Sequence, residues 1–149
     1  MAEQKHELGT AAWFDMVGAL IKDSALQHGL PPDLNITIIE RYSDGKELSR
    51  GFYQGLRLEI ANGELSYRVG VRRDEEADFN VEVTTAASRL LNSLQSADPA
   101  YGAAYARFLE TGEIRVTGVP FTPGKWLLSS HDPIVAITQQ TIAPSLASS

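Results

Sequence analysis

Phe79-Asn80-Val81-Glu82-Val83-Thr84 alternates apolar and polar residues, the pattern of a strand with one buried face. Thr84 or Thr85 can cap a helix behind it, on which Ala87, Leu90, Leu91 and Leu94 fall on one side. Asp98-Pro99 restarts the chain as a second helix, with Asp98 as cap and Pro99 at the first helical position, where a missing N–H costs nothing. Tyr101, Ala104, Tyr105, Phe108 and Leu109 then form an apolar stripe, and Gly112 ends it. Glu113-Ile114-Arg115-Val116-Thr117-Gly118 alternates once more. The unit is strand, two apolar-faced helices, strand.

Upstream, Thr10 is a cap for a helix that presents Trp13, Val17, Leu20 and Ile21 on one face, with Phe14 beside them, until Gly29 and Pro31-Pro32 stop it. Its polar face carries Asp15, Lys22 and Asp23 and lacks the basic stripe of a membrane-surface helix, so core packing is expected. Asn35 to Tyr42 reads as a strand, Ser43-Asp44-Gly45 as a turn, and Phe52 to Ile60 as a second strand. Asn62-Gly63 signals a tight hairpin, since both residues accept positive φ, and Leu65 to Arg72 follows as the third strand. Arg57, Glu59, Arg68, Arg72 and Glu82 share the polar face, expected to be wet and cross-paired; the opposite face is expected to be purely apolar.

Downstream of Gly118, Val119 to Gly124 is an extended, proline-rich connection, and Lys125-Trp126-Leu127-Leu128 is a short apolar run. Asp132-Pro133 repeats the cap-plus-proline start and predicts a last helix bearing Ile134, Ile137 and Thr141, ended by Pro144 before a frayed tail. These segments predict one α+β domain, 1–149: an N-terminal helix 10–28, strands within 35–84, a helical cover 85–111, a last strand 113–118 and a C-terminal helix 132–143. The architecture expected is a five-stranded, mostly antiparallel sheet covered on one face by four to five helices.

Composition removes several function classes. A net charge of −6, with Arg72-Arg73 as the only adjacent basic pair and Asp74-Glu75-Glu76 directly behind it, speaks against a nucleic-acid surface. The absence of cysteine excludes disulfides, thiolate chemistry and cysteine-based zinc sites. The first seven residues are polar and mixed in charge, unlike a signal peptide, and the apolar run Ala11 to Ile21 is broken by Asp15 and Gly18 and too short to span a bilayer. A cytoplasmic protein is expected, with no integral membrane span, which leaves transient membrane contact open.

The candidate catalytic groupings do not assemble. Ser129, Ser130, His131 and Asp132 supply triad residue types in succession, but neighbours on one segment point apart, and no Gly-x-Ser-x-Gly elbow occurs. Asp74 to Asp78 has alternating carboxylates like a calcium loop, yet the sixth and twelfth positions hold Phe79 and Thr85, so a solvated turn is expected. His6, His28 and His131 have no metal-ligand spacing, and Gly51 and Gly55 do not form a phosphate loop. No cofactor, metal or catalytic residue is predicted. What remains is apolar: Leu90, Leu94, Tyr105, Phe108, Trp126, Leu128, Ile134 and Ile137 lie on segments expected to cover the sheet. That is more cover than the sheet needs, and the surplus can be shared between a core and an apolar cavity.

The order strand, two helices, strand, together with the spacing of Gly112, Ile114, Val116 and Gly118, resembles the sterol carrier protein family of lipid-binding domains. The resemblance implies a five-stranded sheet whose helices enclose an apolar tunnel for a fatty acid, acyl-CoA, sterol or phospholipid, bound without chemistry. Val81 to Thr84, the Leu90/Leu94 helix and Gly112 to Gly118 match the family pattern, which adds Ile114 and Val116 to the expected lining. The helix around Ile134 and Ile137 corresponds to the one that closes the tunnel. The chain departs from the family in placing Val119-Pro120 and a further connection after the final glycine, and in enlarging the Asp98 to Leu109 helix. The expected function is a non-enzymatic carrier of an apolar or amphipathic small molecule. The alternative is an interaction module whose apolar surface is closed by a protein partner or a second copy in a homodimer.

Overall fold

The computed structural model describes residues 5–140. In chain order the elements are β1 (His6–Glu7), α1 (Ala11–His28), β2 (Ile36–Tyr42), β3 (Glu47–Ser49), β4 (Phe52–Ala61), β5 (Glu64–Val71), β6 (Phe79–Val83), α2 (Thr85–Leu91), α3 (Pro99–Thr111), β7 (Ile114–Gly118), α4 (Lys125–Leu128), α5 (His131–Ile137) and β8 (Thr138–Gln139). The fold is α+β and the main sheet mostly antiparallel. Five strands run β5–β4–β2–β6–β7, and only β2 and β6 are parallel. A sixth strand, the three-residue β3, pairs with Phe52 and Tyr53 at the start of β4. Two side chains close its turn: the Lys46 N–H donates to Gln54 Oε1 and the Gly51 N–H to Glu47 Oε2, both at 2.8 Å. The β4–β5 hairpin turns at Asn62 and Gly63 with φ of 51° and 76°, the positive values the dipeptide predicts.

Side-chain caps start α1, α2 and α3 as expected. Thr10 accepts from the Trp13 N–H at 3.1 Å, Thr84 from Ala87 at 3.1 Å, and Asp98 from Ala100 at 2.9 Å. Gly112 ends α3 in the left-handed conformation. Two helix boundaries differ from prediction. α2 stops at Leu91: the Asn92 side-chain amide adds a bond to the Ser88 carbonyl at 2.8 Å, and the Ser93 and Leu94 N–H groups then bond three residues back, so Leu94 falls beyond it. The C-terminal helix ends at Ile137, well short of 143: Thr138 turns extended and pairs with His6 across the parallel β1–β8 ribbon. Its hydroxyl donates to the Ile134 carbonyl at 2.6 Å and accepts from the Trp13 indole at 2.8 Å. Asp132 is not its cap; it accepts from the backbone N–H and the hydroxyl of Ser96, each at 2.7 Å. The predicted positions Thr141 and Pro144 lie outside the described residues.

The two faces of the sheet depart from a plain apolar-versus-wet division. To join β5 to β6 the chain must cross β4 and β2, and residues 72–78 do so as a strap over the polar face. The Arg41 guanidinium donates to the carbonyls of Arg72 (3.1 Å), Arg73 (3.0 Å) and Glu75. Arg57 and Arg68 both pair with the Glu75 carboxylate, Arg57 at 3.0 Å. At the far end Asp78 exchanges hydrogen bonds with Thr37 on β2. The segment expected to be a solvated turn is therefore clamped, with the Glu75 side chain only 14% exposed. Ile39 and Val71 are fully buried on this side of the sheet. Val71 reaches it through a register shift at the β4–β5 junction, where Gly70 takes a φ of 89°.

On the other face α1 lies on β4 and β5, α4 and α5 pack beside α1, and α3 rests on α2 and β7. Gly18 lets α1 approach, because a Cβ there would run into the Tyr67 ring.

Candidate functional site

Strand register sorts the helix-covered face into rows. One row runs Leu58, Ile38, Phe79; the next Leu56, Glu40, Val81, Val116; the next Tyr42, Val83, Ile114. Tyr42, Val83 and Ile114 are all buried, as are Leu58 and Ile38. The row between them is not. Leu56 is buried, but Val81 is half-buried, Val116 is 43% exposed, and Glu40 is open to solvent over more than a third of its surface. Among the described residues the helices close over most of the rows on either side and leave this one uncovered.

Glu40 is the residue the sequence reading missed. It sits in phase with Ile36, Ile38 and Tyr42, so strand geometry aims it at the helix-covered face, and that face is not purely apolar as expected. A glutamate in the apolar phase of Ile36-x-Ile38-x-Glu40-x-Tyr42 was the available signal. Glu40 makes no hydrogen bond or ion pair to other described residues, and desolvation pushes its carboxyl above the ordinary range. Burial first, and then the Glu40 charge, raise the Tyr105 phenol. The Tyr101 phenol is raised by burial, by Tyr105 and by Glu40 in turn, so both tyrosines of α3 lie within electrostatic reach of the carboxylate. Tyr42 is raised chiefly by burial, and its hydroxyl shares a 2.8 Å hydrogen bond with Ser88.

The predicted lining residues divide into two groups. Phe108, Ile114, Trp126, Ile134 and Ile137 are buried in the hydrophobic core. Leu90, Tyr105, Val116 and Leu128 are exposed, Leu128 at 63%, and Leu94 is half-buried beyond the end of α2. Of these, Val116 stands in the open row and Tyr105 lies within electrostatic reach of Glu40; Leu128 sits on the short helix α4, which packs against α1.

The serine, histidine and acid of the late loop point to different partners. The Ser130 hydroxyl donates to the Leu127 carbonyl at 2.5 Å, and Asp132 holds Ser96. His131 Nε2 bonds the Leu94 carbonyl at 2.8 Å, while its ring lies 4.3 Å from that of Tyr101. Two surface hollows lie elsewhere. One lies between Arg41, Tyr53, Gln54, Val71, Arg73 and Glu82; the other is open and lies where α1 meets β5, beside Leu20, Leu26 and Tyr67. Neither touches the open row. Among the described residues no group of three or more His, Asp or Glu is placed to hold a metal ion, and no helix is long and apolar enough to cross a membrane.

No protein-family model and no curated protein matches the chain. Solved structures do. A conserved hypothetical protein from Thermus thermophilus, offered as a candidate sterol carrier protein, superposes with a TM-score of 0.52 at 14% identity, over 91% of this chain and 90% of that one. Sterol carrier protein 2 aligns at 14% identity with a TM-score of 0.48, over 88% and 96% of the two chains. A stereoselective inverting sec-alkylsulfatase from Pseudomonas sp. aligns at 19% identity and a TM-score of 0.39, over 88% of this chain but 16% of the enzyme. The strand order, the one-sided helical cover and an alignment that spans nine-tenths of both this chain and the Thermus protein lead to one conclusion: this chain has a divergent sterol-carrier-like fold.

Proposed function

We propose that the chain is a non-catalytic carrier of an apolar or amphipathic small molecule, such as a fatty acid, acyl-CoA, sterol or phospholipid, held between the sheet and α3. The observation that carries this reading is the uncovered row Glu40, Val81, Val116 on the face that the helices otherwise seal. Glu40 is open to solvent over more than a third of its surface, and desolvation still pushes its carboxyl up, which supports a partly enclosed space beside this row. Val81 and Val116 supply an apolar floor, and Tyr101 and Tyr105 an amphipathic wall. The fold shared with the Thermus candidate sterol carrier supports the same reading.

Each CH₂ of a ligand taken from water into such a space contributes about 0.8 kcal/mol. At a concentration of about a hundred times Kd the ligand stabilises the fold by about 2.7 kcal/mol. Native mass spectrometry of freshly purified protein, followed by denaturing extraction, should show an adduct that leaves on unfolding. Bare monomer, with no melting shift across a panel of fatty acids, sterols and phospholipids, would overturn the proposal. Bare protein at dimer mass would instead favour the alternative, an interaction surface formed by the exposed Leu90, Leu109, Val116 and Val119.

A further inference from the structure

Taking the carrier reading as its basis, we infer that Glu40 selects the ligand's head: it receives a hydrogen-bond donor, an alcohol hydroxyl or an ammonium, at the end of the apolar body and disfavours a carboxylate. The register sets Glu40 between Leu56 and Val81 on the helix-covered face, at the middle strand of the five. An ionised carboxylate only accepts hydrogen bonds, and no described residue donates one to it. The phenols of Tyr101 and Tyr105 lie within electrostatic reach and could donate, yet neither bonds to it.

For packing alone the position is a poor choice. Its phase along β2 is that of Ile36, Ile38 and Tyr42, and a partly desolvated carboxylate without a partner costs stability there that an isoleucine would not. The cost falls once a donor arrives. A hydroxyl contributes a charge-assisted hydrogen bond and an ammonium adds charge pairing, while both leave the hydrocarbon on the Val81–Val116 floor. A ligand carboxylate would place a second negative charge against the first, which raises the cost of ionising either. The upward push on the Glu40 carboxyl agrees with this geometry.

The test uses the full chain at pH 8 with three twelve-carbon probes, dodecan-1-ol, dodecylamine and dodecanoate, titrated against wild type and Glu40→Gln. Melting curves establish that the variant is folded. Wild type should bind the alcohol and the amine at least about tenfold more tightly than dodecanoate. Glu40→Gln should bring dodecanoate within about threefold of the alcohol and abolish the advantage of the amine. Dodecanoate bound by wild type as tightly as dodecan-1-ol, or an unchanged order of affinities in Glu40→Gln, overturns the head-group inference and leaves the carrier reading standing. If no probe binds and purified protein carries no lipid, the carrier reading falls and the inference with it. If the variant fails to fold, dodecanoate bound by wild type as tightly as dodecan-1-ol still overturns the inference.

Discussion

The helix-covered face is built twice over from the same sequence device and finished differently at its two ends. Under α1 the apolar stripe is nearly used up: Trp13, Phe14, Val17 and Ile21 are buried, Leu20 is half-buried, and Gly18 admits the Tyr67 ring. Under α3 a stripe of equal quality is half spent. Ala104 and Phe108 are buried, but Tyr105 is 38% exposed and Leu109 faces out. Helical periodicity says which side of a helix turns inward and nothing about how closely that side is seated. The seating depends on what lies beneath, and beneath α1 lie Leu58 and Leu65, while the open row across the sheet contains a glutamate.

The largest effects should come from the anchors of the two halves. Trp13→Ala should cost about 3–5 kcal/mol in chemical denaturation, since it empties the closed half and strips Thr138 of its indole donor. Phe108→Ala should cost about the same if α3 is held by that ring. A variant at Phe108 that keeps its stability but loses ligand would show that the open half reaches deeper than its buried surface implies.

The strap joins the two halves across the back of the sheet, and Glu75→Gln tests that joint. Removing the charge that Arg57 and Arg68 share should cost about 1–3 kcal/mol at neutral pH. Burial alone would raise the Glu75 carboxyl, but the Arg72 N–H, the Arg68 hydrogen bond and the charges of Arg68 and Arg57 hold it below the usual range. Its stabilisation is present above the unfolded value and lost as pH falls through the folded one. Variant and wild type should therefore converge in acid, as pH-dependent melts would record. The adjacent Asp74→Ala, on an exposed side chain, should change stability by less than about 0.5 kcal/mol.

Smaller effects belong to the open half. Glu40→Gln should raise the melting temperature at neutral pH. A carboxyl whose folded pKa is raised costs stability above the ordinary value of 4.5, and below that value the variant and wild type should melt together. The groups facing it are Tyr42 on its own strand and Tyr101 and Tyr105 on α3, none of which ionises in that range. Tyr105→Ala should move stability by no more than about 0.5 kcal/mol while weakening ligand binding, measured by titration of the same probes. A Tyr105→Ala protein that loses several kcal/mol would place α3 in the same class as α1.

Local chemistry was legible where one residue decides one turn. Thr10, Thr84 and Asp98 cap where they were expected to, and Asn62-Gly63 turns its hairpin, because a cap or a positive φ needs only its own neighbours. Asp132 offered the same signal as Asp98 and was drawn instead to Ser96, 36 positions away, a competitor that local pattern cannot reveal. The strap was hidden for the same reason. That Arg41, Arg57 and Arg68 share a face follows from alternation, but that the chain would return across them follows only from strand order. Glu40 was visible in phase and overlooked, since a single polar residue in an apolar row acquires meaning only once its neighbours across the sheet are known.

The β1–β8 ribbon has a mechanical consequence. Its two strands run in the same direction, so tension on the chain ends drags them past each other lengthwise. The bonds between them, and the Leu8 N–H donated to the Gln139 carbonyl, must bear that load together instead of peeling apart one by one. Directly behind them the Trp13 indole grips Thr138, so the load passes into the core without a slack segment between. Pulled from both ends, the molecule should give way in one abrupt event that begins at the ribbon and takes the core with it.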